Sequence, residues 1–114
     1  MTRRASAAFM SGIPELLVLR LLSRREMYGY ELVREIRVVS AESLSFAEGV
    51  IYPLLHALEE RGMLKAAPRR VEGRERVYYS LTARGHRQLD SMSAQWQRTS
   101  QGVNMIMGGL HAND

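Results

Sequence analysis

Four arginines, Arg69, Arg70, Arg74 and Arg76, fall within eight residues of this chain. A guanidinium group is planar, permanently charged and carries its donors in a rigid fork, so a cluster of them suits phosphate oxygens. Glu72 and Glu75 lie in the same stretch and dilute the field, so the cluster taken alone also fits a solvated turn. Earlier in the chain, Gly49, Tyr52 and His56 recur at three- and four-residue steps, which places them on one helical face. With Ser45 just ahead, that face offers a hydroxyl, a phenol and an imidazole, each able to hydrogen-bond an anion. At Gly49 the missing side chain leaves room for another molecule to approach the backbone. Tyr52 fits a half-buried aromatic with its hydroxyl in water as well as it fits a phosphate contact.

Catalysis finds little support. His56, His86 and His111 have no metal-ligand spacing among themselves, and no carboxylate pair or nucleophile motif accompanies them. There is no cysteine, which excludes disulfides and thiolate metal sites and fits a reducing compartment. No metal or cofactor is expected. The 114 residues carry a net charge of +4, with 46% hydrophobic and 25% charged residues, the balance of an ordinary globular domain. Lys65 is the only lysine, so the positive excess is arginine. Genome composition explains that preference as well as a polyanionic partner does. The longest apolar run, Leu16 to Leu22, is broken by Arg20 and too short to span a bilayer. Arg3 and Arg4 are not followed by the apolar stretch of a leader, so a cytoplasmic protein with no membrane partner is expected.

Positioning the polar groups requires a scaffold, and the apolar pattern supplies one. Residues 1–11 read as a mobile arm. Pro14 and Glu15 suit a first helical turn, and Leu16, Leu17, Leu19, Leu21 and Leu22 continue it to about residue 24. Tyr28, Leu32 and Ile36, at four-residue steps, give a second helix to about residue 39. Ser45 and Glu48 form an S-x-x-E capping box for a third helix, which turns Ile51, Leu54, Leu55 and Leu58 inward and stops at Gly62. Pro53 inside that helix lacks an N–H and crowds the carbonyl of Gly49, itself a residue costing about 1 kcal/mol against alanine. Two unfavourable residues at linked positions point to a surface shaped for close approach. Val77, Tyr79 and Leu81 then alternate with Arg76, Tyr78 and Ser80, the period of a strand with one buried face. Leu64 to about Arg69 pairs with it through a turn at Gly73. Thr82 caps a final helix over about 83–107, which frays at Gly108 and Gly109. The fold expected is mainly α with a small β-hairpin.

Three helices followed by a hairpin is the winged helix-turn-helix arrangement, in which the third helix enters the DNA major groove and the wing meets the flanking backbone. On that reading residues 1–82 form a DNA-binding domain, with Ser45, Gly49, Tyr52, His56, Arg69, Arg70, Arg74 and Arg76 facing an inverted-repeat operator in double-stranded DNA. A winged helix that binds protein, or senses a ligand without reading DNA, is the alternative, because fold does not fix function. The stretch "EGVIYPLLHALEERGML" followed by "RVYYSLTARG", with "LLVLRLLSRREMYGYELVREI" ahead of both, resembles the PadR family of bacterial transcriptional regulators over about residues 12–100. That resemblance implies an autonomous DNA-binding dimer, commonly a repressor relieved by a small molecule. Val50 stands where the family often has threonine or serine, so a hydroxyl is absent there.

The last helix carries a second pattern. Leu89, Met92, Trp96, Thr99, Val103, Ile106 and Leu110 advance by alternate steps of three and four, a heptad seam with one polar member. Such a stripe either packs on its own domain or meets a two-fold partner, and a chain this short has little core to cover it. Residues 83–110 are therefore expected to form a homodimer. Trp96 is the only tryptophan. It serves either as an interface anchor or, with Met92 and Thr99, as the platform for a small aromatic or cationic amphiphilic effector. The resemblance adds that some short PadR-like multidrug regulators stack planar ligands on a tryptophan eleven residues after the glycine of the L-T-x-x-G run, the spacing of Gly85 and Trp96 here.

Overall fold

A computed structural model describes residues 12–112 of the chain, with side chains described through residue 108. The arm expected over residues 1–11 and the side chain of Leu110, last member of the seam, lie outside the described residues. In chain order the elements are α1 (Ile13–Arg24), β1 (Met27–Tyr28), α2 (Gly29–Val39), α3 (Glu48–Glu60), β2 (Leu64–Val71), β3 (Arg74–Leu81) and α4 (Ala83–Ala112). The core lies where α1, α2 and α3 meet the inner face of the sheet. Val18 and Leu19 of α1, Leu32 of α2, and Ile51, Leu55 and Leu58 of α3 are fully enclosed there, with Met27, Leu64 and Tyr79 closing it from the strands. This is the winged helix arrangement with a long C-terminal helix.

The sheet is antiparallel in the order β1-β3-β2. β2 and β3 pair from Leu64↔Leu81 out to Val71↔Arg74. Their two-residue turn places Glu72 at φ 52° and Gly73 at φ 79°, the left-handed pair whose twist matches a hairpin, which is why glycine occupies the second position. β1 is a third strand that the apolar period does not predict: Met27 faces Tyr79 and Tyr28 faces Tyr78. Two residues carry no period of their own, and Tyr28 thereby belongs to the sheet rather than to α2. Val77 is 41% exposed, because the hairpin runs on past the core, whereas Tyr79 is buried and Leu81, half-buried, packs against the core.

The capping box expected of Ser45 and Glu48 does not form. Ala47 is the N-cap, in extended conformation, and its carbonyl accepts the N–H groups of Val50 at 2.9 Å and Ile51 at 3.2 Å without any side-chain cap. Leu44 and Phe46 pack against the core, which holds residues 44–47 outside any helix and sets the start of α3 beyond Ser45. The α2–α3 connection turns through Ala41 and Glu42, both at positive φ, and is tied by the Glu42 N–H donating to the Arg37 carbonyl at 2.8 Å. Ser40 Oγ accepts the Leu44 N–H at 3.0 Å. At the other end, α4 runs through Gly108 and Gly109 to Ala112 instead of fraying. Glycine weakens a helix by about 1 kcal/mol but keeps its N–H, so the ladder is not broken as proline would break it.

Candidate nucleic-acid interface

α3 turns Gly49, Val50, Pro53, His56 and Glu60 to solvent, while Ile51, Leu55 and Leu58 face the core. The helix continues through Pro53 without interruption. A Cβ added at Gly49 would meet nothing within 4 Å, so no packing inside the chain asks for glycine at that position. Ser45 is half-buried just ahead of the helix, and His56 lies one turn beyond Tyr52, exposed.

Tyr52 is half-buried and sits between the two surfaces. Its ring rests on Gly29, the first residue of α2, closely enough that any Cβ there would overlap ring carbons. Burial pushes the Tyr52 phenol pKa up, and the nearby Glu48 carboxylate and Tyr28 push it the same way. The hydroxyl therefore remains a neutral O–H donor throughout the neutral range, the form suited to an acceptor-only oxygen.

The arginines of the hairpin do not act as one cluster. Side chains alternate across a strand, and the register pairs Arg69 with Arg76 but Arg70 with Glu75, so Arg70 lies on the opposite face. Arg69 and Arg76 share their face with Tyr28 and Tyr78, whose rings meet edge to face at 5.4 Å between centroids. The Arg69 guanidinium lies 5.1 Å from the Tyr78 centroid and forks onto the Glu26 carboxylate, with Nη2 donating to Oε2 at 2.8 Å and Nη1 paired with Oε1. The Arg76 guanidinium lies 4.4 Å from the Tyr28 centroid. Among the described residues Arg70, Arg74 and Arg76 form no ion pair. Glu26, Tyr28, Gly29 and Tyr78 are thus parts of this surface that sequence reasoning misses. Their roles depend on β1 joining β3, which no local pattern signals.

The seam of α4 divides into two parts. Leu89 is 5% exposed in the chain's own core, and Met92, half-buried, packs against that core. From Trp96 onward the helix leaves the body: Trp96 is 48% exposed, Val103 53% and Ile106 68%, and Thr99 is open to solvent. Trp96 lines two grooves between α4 and α1. One, of about 530 Å³, is bounded by Leu16, Leu17 and Leu44 opposite Thr99 and Val103; the other, of about 380 Å³, by Ile13 and Leu16 opposite Met92 and Thr99. Trp96, Met92 and Thr99 therefore come together at one apolar surface that also includes α1.

The base of α4 is locked to the end of α3. Thr82 Oγ1 donates to the Gly62 carbonyl at 2.6 Å and accepts the Gly85 N–H at 3.1 Å, while the Thr82 N–H donates to the Met63 carbonyl at 3.1 Å. The Glu15 carboxylate of α1 accepts Gln88 Nε2 at 3.0 Å and lies 3.5 Å from an Arg61 nitrogen, joining α1, α4 and the residue that follows α3. Among the described residues no helix is long and apolar enough to cross a membrane, and no cluster of three or more metal-binding side chains occurs.

Comparisons with known proteins agree with this architecture. A family model described as the transcriptional regulator PadR-like family matches residues 18–91, from α1 into α4. A Streptococcus transcriptional regulator of known structure is 32% identical, with a TM-score of 0.76 over 90% of this chain and 99% of its own. A PadR-like transcriptional regulator from Bacillus cereus is 29% identical, with a TM-score of 0.77 over 88% and 96% of the two chains. An uncharacterized protein of Lysinibacillus sphaericus is 28% identical over 95 residues, 82% of this chain and 87% of the relative. The match spans the three core helices, the sheet and the base of α4, and the chain belongs to the PadR-like family of transcriptional regulators.

Proposed function

We propose that the protein is a sequence-specific DNA-binding repressor that acts as a two-fold dimer on an inverted repeat and is released by a planar aromatic or cationic amphiphile. The observation that carries this reading is the outward face of α3, with Gly49 and His56 exposed and Tyr52 half-buried, in a chain whose hairpin carries Arg70, Arg74 and Arg76 without an ion pair among the described residues. An α-helix fits the major groove, and a glycine that internal packing does not require leaves its backbone free to approach. Tyr52, held as a neutral donor, suits a phosphate oxygen. Arg70 and Arg74 suit the flanking backbone, adding affinity without sequence information. Tyr52→Phe is expected to weaken operator binding by about 1 kcal/mol, one lost hydrogen bond. Arg70→Ala and Arg74→Ala should weaken all sequences alike. Gel-shift titration reads both effects, and unchanged affinity in all three variants would show that DNA does not meet this face.

Residues 83–110 serve in this reading as the dimerisation unit, supported by the apolar stretch from Trp96 through Ile106 that its own domain leaves uncovered. A partner there would close the grooves beside Trp96. A ligand in them would alter the angle of α4, which is locked to α3 at its base, and so the spacing of the two reading helices. That spacing must match half-sites about one helical turn, or a multiple of it, apart. The ligand must favour the DNA-incompetent arrangement for release to follow. Trp96 fluorescence should quench on titration with a planar dye, and Trp96→Ala should abolish the response while leaving DNA binding intact. Unchanged fluorescence across a broad dye panel would leave Trp96 an interface anchor alone.

A further inference from the structure

We propose that Arg76 is a preorganised phosphate ligand held over the Tyr28 ring, and that Arg69 is a brace that meets no phosphate; the proposal rests on the DNA-binding reading above. The two arginines are cross-strand partners on one face of the hairpin, yet their surroundings differ. Arg69 is forked onto both oxygens of Glu26 and covered on one face by Tyr78. Its charge already has a counterion fixed in the protein, so phosphate contact would require breaking that pair. Arg76 has its guanidinium carbon over the Tyr28 ring and no ion pair among the described residues, so no carboxylate there takes up its donors.

The cation–π contact is an attraction between charge and ring quadrupole and needs no carboxylate, so it is compatible with a phosphate accepting the guanidinium donors. It also places in the free protein the ordering that a flexible arginine would otherwise undergo on binding. Position supports the same assignment. Tyr28 immediately precedes Gly29, on which the Tyr52 ring rests, so Arg76 and Tyr52 reach the same two-residue step, one from β3 and the other from α3. Tyr28 is in this scheme a positioning residue.

The test is equilibrium binding of the full chain to a short DNA duplex of arbitrary sequence, repeated over a range of salt concentrations. Each phosphate contact contributes about 0.9 to the slope of log K against log salt. Arg76→Ala should lower the slope by about that amount per subunit. The charge-neutral double variant Arg69→Gln with Glu26→Gln should leave it unchanged. Tyr28→Leu keeps every charge, so it should hold the slope while weakening binding about three-fold, and Tyr28→Phe should restore affinity. In an Arg76→Ala background Tyr28→Leu should have no further effect, whereas a merely structural tyrosine would add its loss to that of the arginine. An unchanged slope in Arg76→Ala, or an equal loss in the Arg69–Glu26 double variant, overturns the assignment while DNA binding itself stands. A wild-type chain that binds no duplex at low salt overturns the DNA reading and this proposal with it.

Discussion

Gly85→Ala is expected to destabilise the fold by about 3 kcal/mol, the upper end of overpacking penalties. Gly85 is buried in the first turn of α4, and a Cβ there would fall on the carbonyl oxygen of Met63, with Leu81 Cδ2 only 2.8 Å away. The leucine can rotate. The oxygen cannot, because it is main chain and already accepts the Thr82 N–H at 3.1 Å. Relief would require α4 to lift from the α3–β2 turn, breaking the Thr82 bonds to the Gly62 and Met63 carbonyls as well. Gly49→Ala is the informative counterpart. Its Cβ enters open space, so stability should rise by up to about 1 kcal/mol while affinity for DNA falls. Urea unfolding midpoints check both substitutions. A Gly85→Ala protein as stable as wild type would mean that the base of α4 is not clamped as described.

Val103→Asp combined with Ile106→Asp is expected to abolish the proposed dimer and leave a monomer that still folds. Both residues are more than half exposed and neither contributes to the core, so the single chain has no reason to unfold. In a paired α4 each aspartate would be buried without a counterion, at an effective cost of several kcal/mol per charge. With four such charges in a two-fold seam, association in the micromolar range or tighter should be lost. Light scattering reports mass directly, and far-ultraviolet circular dichroism confirms that the fold survives. An unchanged dimer would move the interface away from the second half of α4.

The existence of every helix and of the hairpin was legible because each element turns an apolar stripe toward one core, and that periodicity survives in the residue order. What was not legible depended on competition between distant parts. The Ser45–Glu48 pattern is a genuine local signal, but Phe46 is drawn to the core and moves the start of α3 past it. Leu89 and Trp96 belong to the same heptad stripe, yet one is buried in its own domain and the other is half exposed. Spacing alone cannot show where a helix leaves its body. The outward positions of Gly49 and His56 followed from helical period alone. The division of the hairpin arginines did not, because Glu26 lies 43 residues from Arg69 and meets it only through the tertiary fold.

Salt-dependent equilibrium binding of the full chain to the duplex upstream of its own gene tests the central claim most directly. A dimer that meets DNA through α3 and the hairpin gives log K falling linearly with log salt, with about 0.9 of slope for each phosphate engaged. That line should shift downward in Tyr52→Phe and flatten in Arg70→Ala and Arg74→Ala. Absent binding at low salt, or an affinity indifferent to salt, would contradict DNA recognition and favour a winged helix whose partner is another protein.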